Sequence, residues 1–274
     1  MRHSPLRRAS TCFFRWLLRS SGGTATLAGL LAAAGSARGD EHLFGYVRGA
    51  ETLPKGHADF YQFATLRTGK SEGDYHAWDF DTEVEYGFTD KFQMSVAAVQ
   101  HYFDVEGVPG LDNGSFYRFG GGELAAKYRF TSVFKDGYGL AIRPEIAFLR
   151  YDDVGGIIQT EFDFAPELIY QKNFLDDTLI FAANVGVKLA WGKKPAEEYD
   201  REFTIQGAMG LSYRFALNWF FGPELHLRSE YPNFDLGFHE HTALFVGPSL
   251  HYGAKRWWAT ATYVYQAWGN EVRS

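Results

Sequence analysis

Several groups of residues in this chain are of types that could do chemistry. Glu224, His226 and Arg228 recur at every second position, with His251 further on. A hydrolase would need a nucleophile beside such a histidine and a third group to orient it. No serine stands at a recognisable spacing, so these residues read as members of a polar network, and the chain reads as not being an enzyme. His239-Glu240-His241, with Asp235 nearby, are metal-ligating types. At the loop rim they could bind a metal, but a hydrated loop end is the simpler reading, and no metal is expected. Asp152-Asp153 could meet a divalent cation or one bound to lipopolysaccharide, yet ordinary loop polarity accounts for them.

The largest set is a ladder of charge. Asp79, Asp81, Glu83 and Glu85 alternate with Trp78, Phe80, Val84 and Tyr86. Period-two alternation means a β-strand with one wet and one apolar face. After Thr89-Asp90-Lys91 the apolar set resumes at Phe92, Met94, Val96 and Ala98, which makes a hairpin whose two strands keep the same face. The same partition holds further on. Glu123, Lys127 and Arg129 oppose Leu124, Tyr128 and Phe130; Arg143 and Glu145 oppose Ile142, Ile146 and Phe148. Glu161, Asp163 and Glu167 oppose Phe162, Phe164 and Leu168; Lys188 opposes Val185, Val187 and Leu189; Glu202 and Arg214 oppose Phe203 and Phe215. With Glu224, His226 and Arg228 these are the expected interior residues. They make either a cation-favouring passage or a cross-braced interior whose charges satisfy one another.

Strands that position these residues are expected at about 57–68, 75–88, 92–103, 117–131, 138–150, 159–172, 178–191, 201–215, 219–230, 240–252 and 256–268. Short connections alternate with longer ones rich in Asp, Glu, Gly, Pro or Asn. Rings gather at both strand ends: Tyr86, Phe88, Tyr128, Tyr213, Trp219 and Trp257 by the short turns, Trp78, Tyr102, Tyr117, Trp191 and Trp268 by the long loops. Two aromatic bands suit two membrane interfaces. The fold class is therefore all-β, an antiparallel up-and-down transmembrane β-barrel of about 12 strands, with short periplasmic turns and longer extracellular loops. Eleven strands are counted; either a final strand is truncated or Leu43 to Ala50 supplies the twelfth.

A repeated phrase places proline inside strands: Arg143-Pro144-Glu145, Ala165-Pro166-Glu167, Gly222-Pro223-Glu224 and Gly247-Pro248-Ser249. Pro144 mirrors Pro166 about loop 151–158, and Pro223 mirrors Pro248 about loop 231–239. The prolines should thus face each other in pairs, with Arg143 opposite Glu167. They either bend the strands or weaken the ladder enough for an apolar solute to leave sideways.

Composition agrees. Aromatic residues make up 18 % of the 274 residues, and there are 30 glycines. No apolar run is long enough for a membrane-spanning helix. Residues 1–39 carry six arginines and no acid, five of the arginines before the apolar stretch Thr24 to Ala34, which reads as a signal peptide cleaved after Ala37 or Gly39, leaving 40–274 as the barrel. Lys+Arg then falls from 27 to 21 against 33 acids, a net charge of −12, which disfavours nucleic acid as a partner. Cys12 lies in the removed part, so the mature chain has no cysteine.

Leu53-Pro54-Lys55-Gly56, Tyr86-Gly87-Phe88-Thr89-Asp90-Lys91 and Arg256-Trp257-Trp258-Ala259-Thr260 resemble Gram-negative outer-membrane β-barrels, more narrowly an uncharacterised group of roughly twelve-stranded proteobacterial proteins. The chain is also similar to porins for aromatic or hydrophobic compounds. The resemblance covers about residue 42 to the end. It implies an outer-membrane location, contact with outer-membrane lipid and lipopolysaccharide, assembly by the barrel-assembly machinery, and passive transport of a small solute without a cofactor. A receptor-like or structural barrel with a closed lumen is the alternative, and a lipid- or lipopolysaccharide-modifying enzyme the third. Such barrels end on an aromatic residue, and this chain ends Gly269-Asn270-Glu271-Val272-Arg273-Ser274.

Overall fold

A computed structural model describes residues 42–70, 72–194 and 200–271; the expected signal peptide lies outside the described residues. The chain forms strands β1 (Ala58–Thr68), β2 (Asp74–Thr89), β3 (Phe92–Glu106) and β4 (Gly114–Thr131), then a one-turn helix α1 (Val133–Asp136). There follow β5 (Gly139–Arg143), β6 (Glu145–Tyr151), β7 (Ile158–Phe164), β8 (Glu167–Phe174), β9 (Leu179–Lys193) and β10 (Asp200–Ala216). The last four are β11 (Trp219–Pro232), β12 (His241–Gly253), β13 (Trp258–Thr262) and β14 (Tyr265–Glu271). All pair antiparallel in one 14-stranded up-and-down sheet. Its two ends curl toward each other: the rings of Tyr61 on β1 and Trp258 on β13 lie 5.7 Å apart.

Fourteen segments follow the eleven expected spans, because three spans are interrupted. Pro144 separates β5 from β6, and Ala165-Pro166 separates β7 from β8. Residues 263–264 separate β13 from β14, where Tyr263 N–H donates to the carbonyl of Pro248. The turn at 132–137 is also more than a loop. Ser132 caps α1 by accepting from Phe134 N–H, and Gly137 ends it at φ 76°, a left-handed position suited to glycine.

The proline pairs sit where mirror symmetry puts them. Pro223 lies opposite Pro248, and Arg143 opposite Glu167. Within the β5–β8 hairpin the rungs beside the prolines are made, Glu145 N–H to Ala165 at 3.1 Å and Ala165 N–H to Glu145 at 2.8 Å. The β11–β12 register runs unbroken from Trp219 to Glu230. Each proline therefore withholds its donor from the strand outside the hairpin. Ala126 and Val187 still donate to the carbonyls of Pro144 and Pro166. Bent strands with closed hairpins result, and a sideways opening between the paired prolines does not fit this pattern. Gly222 and Gly247 precede two of these prolines because a Cβ there would strike the carbonyls of Leu211 and Tyr263.

The distribution of burial is inverted relative to a water-soluble sandwich. Asp79 is 0 % exposed and Glu83 and Glu85 are buried, while Val96 is 58 % and Val185 63 % exposed. The exposed side chains include Tyr86, Phe88, Tyr128, Phe130, Tyr213 and Phe215 by the short turns, and Tyr102, Tyr117, Phe119 and Trp268 by the long loops. An apolar outer face and a charged inner one require an apolar medium outside. Replacing Val96 or Val185 with Arg should cost about 2–4 kcal/mol when unfolding is measured in bilayers, against about 0–1 for Phe215→Arg at the short-turn end of the same outer face. An equal cost at both depths would contradict this orientation.

Candidate functional site: the lumen and what fills it

Leu43 to Ala50 as a twelfth strand was one of two expected ways to complete the barrel, a truncated final strand being the other. Residues 42–54 form no strand. They lie inside the barrel, where His42, Leu43, Phe44, Tyr46, Val47, Ala50, Glu51 and Leu53 are all buried. Irregular backbone enclosed in this way must find hydrogen-bond partners for its amides, and here the barrel wall supplies them. Glu224 on β11 accepts from Gly45 N–H at 2.7 Å and Tyr46 N–H at 2.9 Å. Asn184 on β9 both accepts from Arg48 N–H at 2.7 Å and donates to its carbonyl at 3.0 Å. Gln171 on β8 accepts from Ala50 N–H at 2.9 Å, and Gln93 on β3 from Leu53 N–H at 2.7 Å. Thr260 on β13 donates to the carbonyl of His42 at 2.7 Å. Each such bond contributes about 0.5–1.5 kcal/mol net, but leaving any of these groups buried and unpaired would cost about 1–3.

The segment's side chains pack as well. Leu43, Phe44 and Val47 meet Ile180, Ala182 and Ala208; Tyr46 meets Ala243, Phe245 and Val264; Ala50 meets Ala141 and Ile169. His226 lies between two rings, 4.8 Å from Tyr46 and 4.9 Å from Phe245, stacked on both. Near the short turns, Glu51 accepts from Ser132 Oγ at 2.9 Å and Val133 N–H at 2.8 Å and pairs with Arg129.

Above the segment the charges pair across the lumen. Arg143 contacts Glu145 at 2.6 Å and Glu83 at 3.8 Å, while Arg48 of the segment reaches Glu167 at 4.0 Å. Lys188 lies 3.5 Å from Asp163 and 3.8 Å from Glu161; Arg228 lies 3.4 Å from Glu202 and also pairs with Glu230. Toward the long loops, Arg67 contacts Asp79 at 2.7 Å, and His101 Nδ1 meets the other Asp79 oxygen at 2.7 Å. The loop between β6 and β7 covers this end. Asp152 accepts from Val154, Gly155 and Ile157 N–H, and Arg67 donates to the carbonyl of Asp153. Tyr75 Oη donates to the Val154 carbonyl at 2.9 Å.

The expected interior residues thus separate into distinct sets. Glu161, Asp163, Lys188, Glu202 and Arg228 form one cluster, and Glu83, Arg143, Glu145 and Glu167 another. Glu224 and His226 hold the segment, and Glu85 accepts from Gln93 Nε2 at 2.9 Å. Lys127 is buried, and Asp81 and Glu123 half-buried on the same face. Arg214 stands apart, at the short-turn rim, donating to Asp176 and Thr178. The candidate ligands at the long-loop rim point to separate partners: His239 to Thr242 at 2.7 Å, His241 to Glu230 at 3.3 Å, Asp235 to Gly237 N–H at 2.9 Å. Sequence reasoning gave no role to Gln93, Gln171 and Asn184, although strand parity placed them inward. Arg67 and Glu230 were missed too; Arg67 sits on β1, whose faces are mixed.

Removing one partner of a buried ion pair leaves an uncompensated charge. Arg67→Met should therefore lower unfolding stability by about 3–5 kcal/mol, and Arg67→Met with Asp79→Leu should recover most of that loss in the same denaturation assay. No recovery in the double variant would mean that Arg67 acts through the Asp153 loop instead.

A family model described as "Family of unknown function (DUF6662)" matches residues 36–273. No curated protein matches the chain. Among solved structures, the β-domain of the Bordetella autotransporter Brka is 12 % identical over 90 % of this chain and 99 % of that one, with a TM-score of 0.25. An overlap that loose places no constraint on the present architecture.

Proposed function

The chain belongs to the DUF6662 family of unknown function, and we propose that it is an outer-membrane β-barrel whose lumen is held shut, in its resting state, by its own N-terminal segment. The observation that carries this reading is the burial of most side chains between His42 and Leu53, with amides of that segment bonded to wall side chains from several strands. An apolar outer face with aromatic residues at both ends supports placement in a bilayer, with lipid and lipopolysaccharide as its surroundings and the barrel-assembly machinery as its route there. The arginine-rich first 39 residues support export.

This reading departs from that of an open, acid-lined channel. Glu83, Glu161, Asp163, Glu202 and Glu230 have basic partners within the barrel, and the lower lumen is occupied by chain. A lipid-modifying enzyme is the reading the site favours least. The Glu224 oxygens are engaged by Gly45, Tyr46 and Thr262 and so do not orient His226. Folded protein purified from outer membranes and placed in a planar bilayer should show no steady conductance at moderate voltage. Stable wild-type current steps would overturn the closed lumen.

A further inference from the structure

We propose that the lower lumen is a binding track for a non-helical peptide, and that residues 42–54 are its intramolecular occupant. The proposal rests on the closed-lumen reading and names the ligand chemistry of that same site. Three features of the track carry it.

First, the wall recognises main chain. Glu224, Asn184, Gln171, Gln93 and Thr260 all engage N–H or C=O groups of the segment. Asn184 takes both the N–H and the C=O of Arg48, the way one strand reads another. Such contacts depend on a main chain with free amides and only weakly on its sequence.

Second, the segment is not part of the barrel's ladders. Its residues contribute to no strand pairing, so its departure would break no rung among the described strands. Besides two small apolar pockets, it would leave behind a carboxylate, three amides and a hydroxyl, groups that water can satisfy. A wall with this many polar groups is compatible with an emptied lumen, which a wall of leucine would not be.

Third, the selectivity of the track is visible in its apolar pockets. One, lined by Ile180, Ala182 and Ala208, takes Leu43, Phe44 and Val47. The other, lined by Phe245, Ala243 and Val264 with His226 stacked alongside, takes Tyr46. The ligand class is therefore a non-helical peptide with free amide N–H groups and aromatic or aliphatic side chains at neighbouring positions. A tethered segment competes at high effective concentration, so a free peptide should enter only once the tethered one is weakened.

Arg48→Pro with Ala50→Pro in the full-length chain removes two donors that the wall reads and leaves every wall residue in place. Folding of the variant is checked by tryptophan fluorescence and protease resistance. If the barrel does not assemble, Asn184→Ala serves as the second variant. The probe is a synthetic peptide of residues 42–54, compared with the same peptide N-methylated at positions 48 and 50. The expected result is a silent wild type, current steps from the variant, and block of those steps by the peptide, at least ten-fold weaker after N-methylation. A folded variant that stays silent and binds no fluorescently labelled peptide overturns the proposal. So does equal block by both peptides, since recognition would then not run through the main chain. Steady wild-type steps would remove the closed-lumen reading beneath it, an outcome separate from either of these.

Discussion

The structure depends on the bonding of an enclosed, irregular stretch of backbone by side chains. Inside a barrel a chain without helix or strand has no partner of its own for its amides, and each unpaired group would cost more than a made bond returns. Residues 45–53 meet that constraint through Glu224, Asn184, Gln171 and Gln93, placed on four different strands. Polar residues at those wall positions, the packing of Tyr46 against His226, and the occupied lumen all follow from one requirement. The wall could not be apolar throughout where it meets this segment's amides, nor could the segment be absent without water taking its place.

The remaining charges extend the same logic upward. Ion pairs buried in this way are poor sources of stability, because desolvation offsets most of their attraction. Their role in this lumen is geometric. Arg143, Lys188, Arg228 and Arg67 each reach acids on neighbouring or distant strands and fill space that side chains of one sign would leave under mutual repulsion. The β6–β7 loop, folded over Arg67 and Tyr75, closes the long-loop end. Lower segment, middle charge clusters and upper loop occupy the lumen in three layers.

Much of this was legible in the residues. Alternation of Asp79, Asp81, Glu83 and Glu85 with rings gave the strand and its two faces, because a period of two has no other cause at that length. Proline arithmetic gave the Arg143–Glu167 register, since hairpin partners sum to a constant. The segment at 42–54 was not legible, and the reason is physical. Leu43, Phe44, Tyr46 and Val47 look like half of a strand when only neighbours are considered. Their partners at Glu224 and Asn184 lie 178 and 136 residues away, and nothing local signals a contact of that span. Gln93, Gln171 and Asn184 carry no charge, so a search for chemistry passed over them, although inward parity marked all three. Strand β1 hid Arg67 for a related reason. Tyr61 faces inward against His42, so the polar and apolar residues of that strand do not separate by face.

The most direct test is hydrogen exchange of the folded protein, read at the amides of Gly45, Tyr46, Arg48, Ala50 and Leu53. If these amides are bonded inside the barrel, they exchange far more slowly than in an isolated peptide of the same sequence, and Asn184→Ala speeds exchange at Arg48 first. Exchange at the free-peptide rate, from a barrel whose strand amides remain protected, would contradict the account.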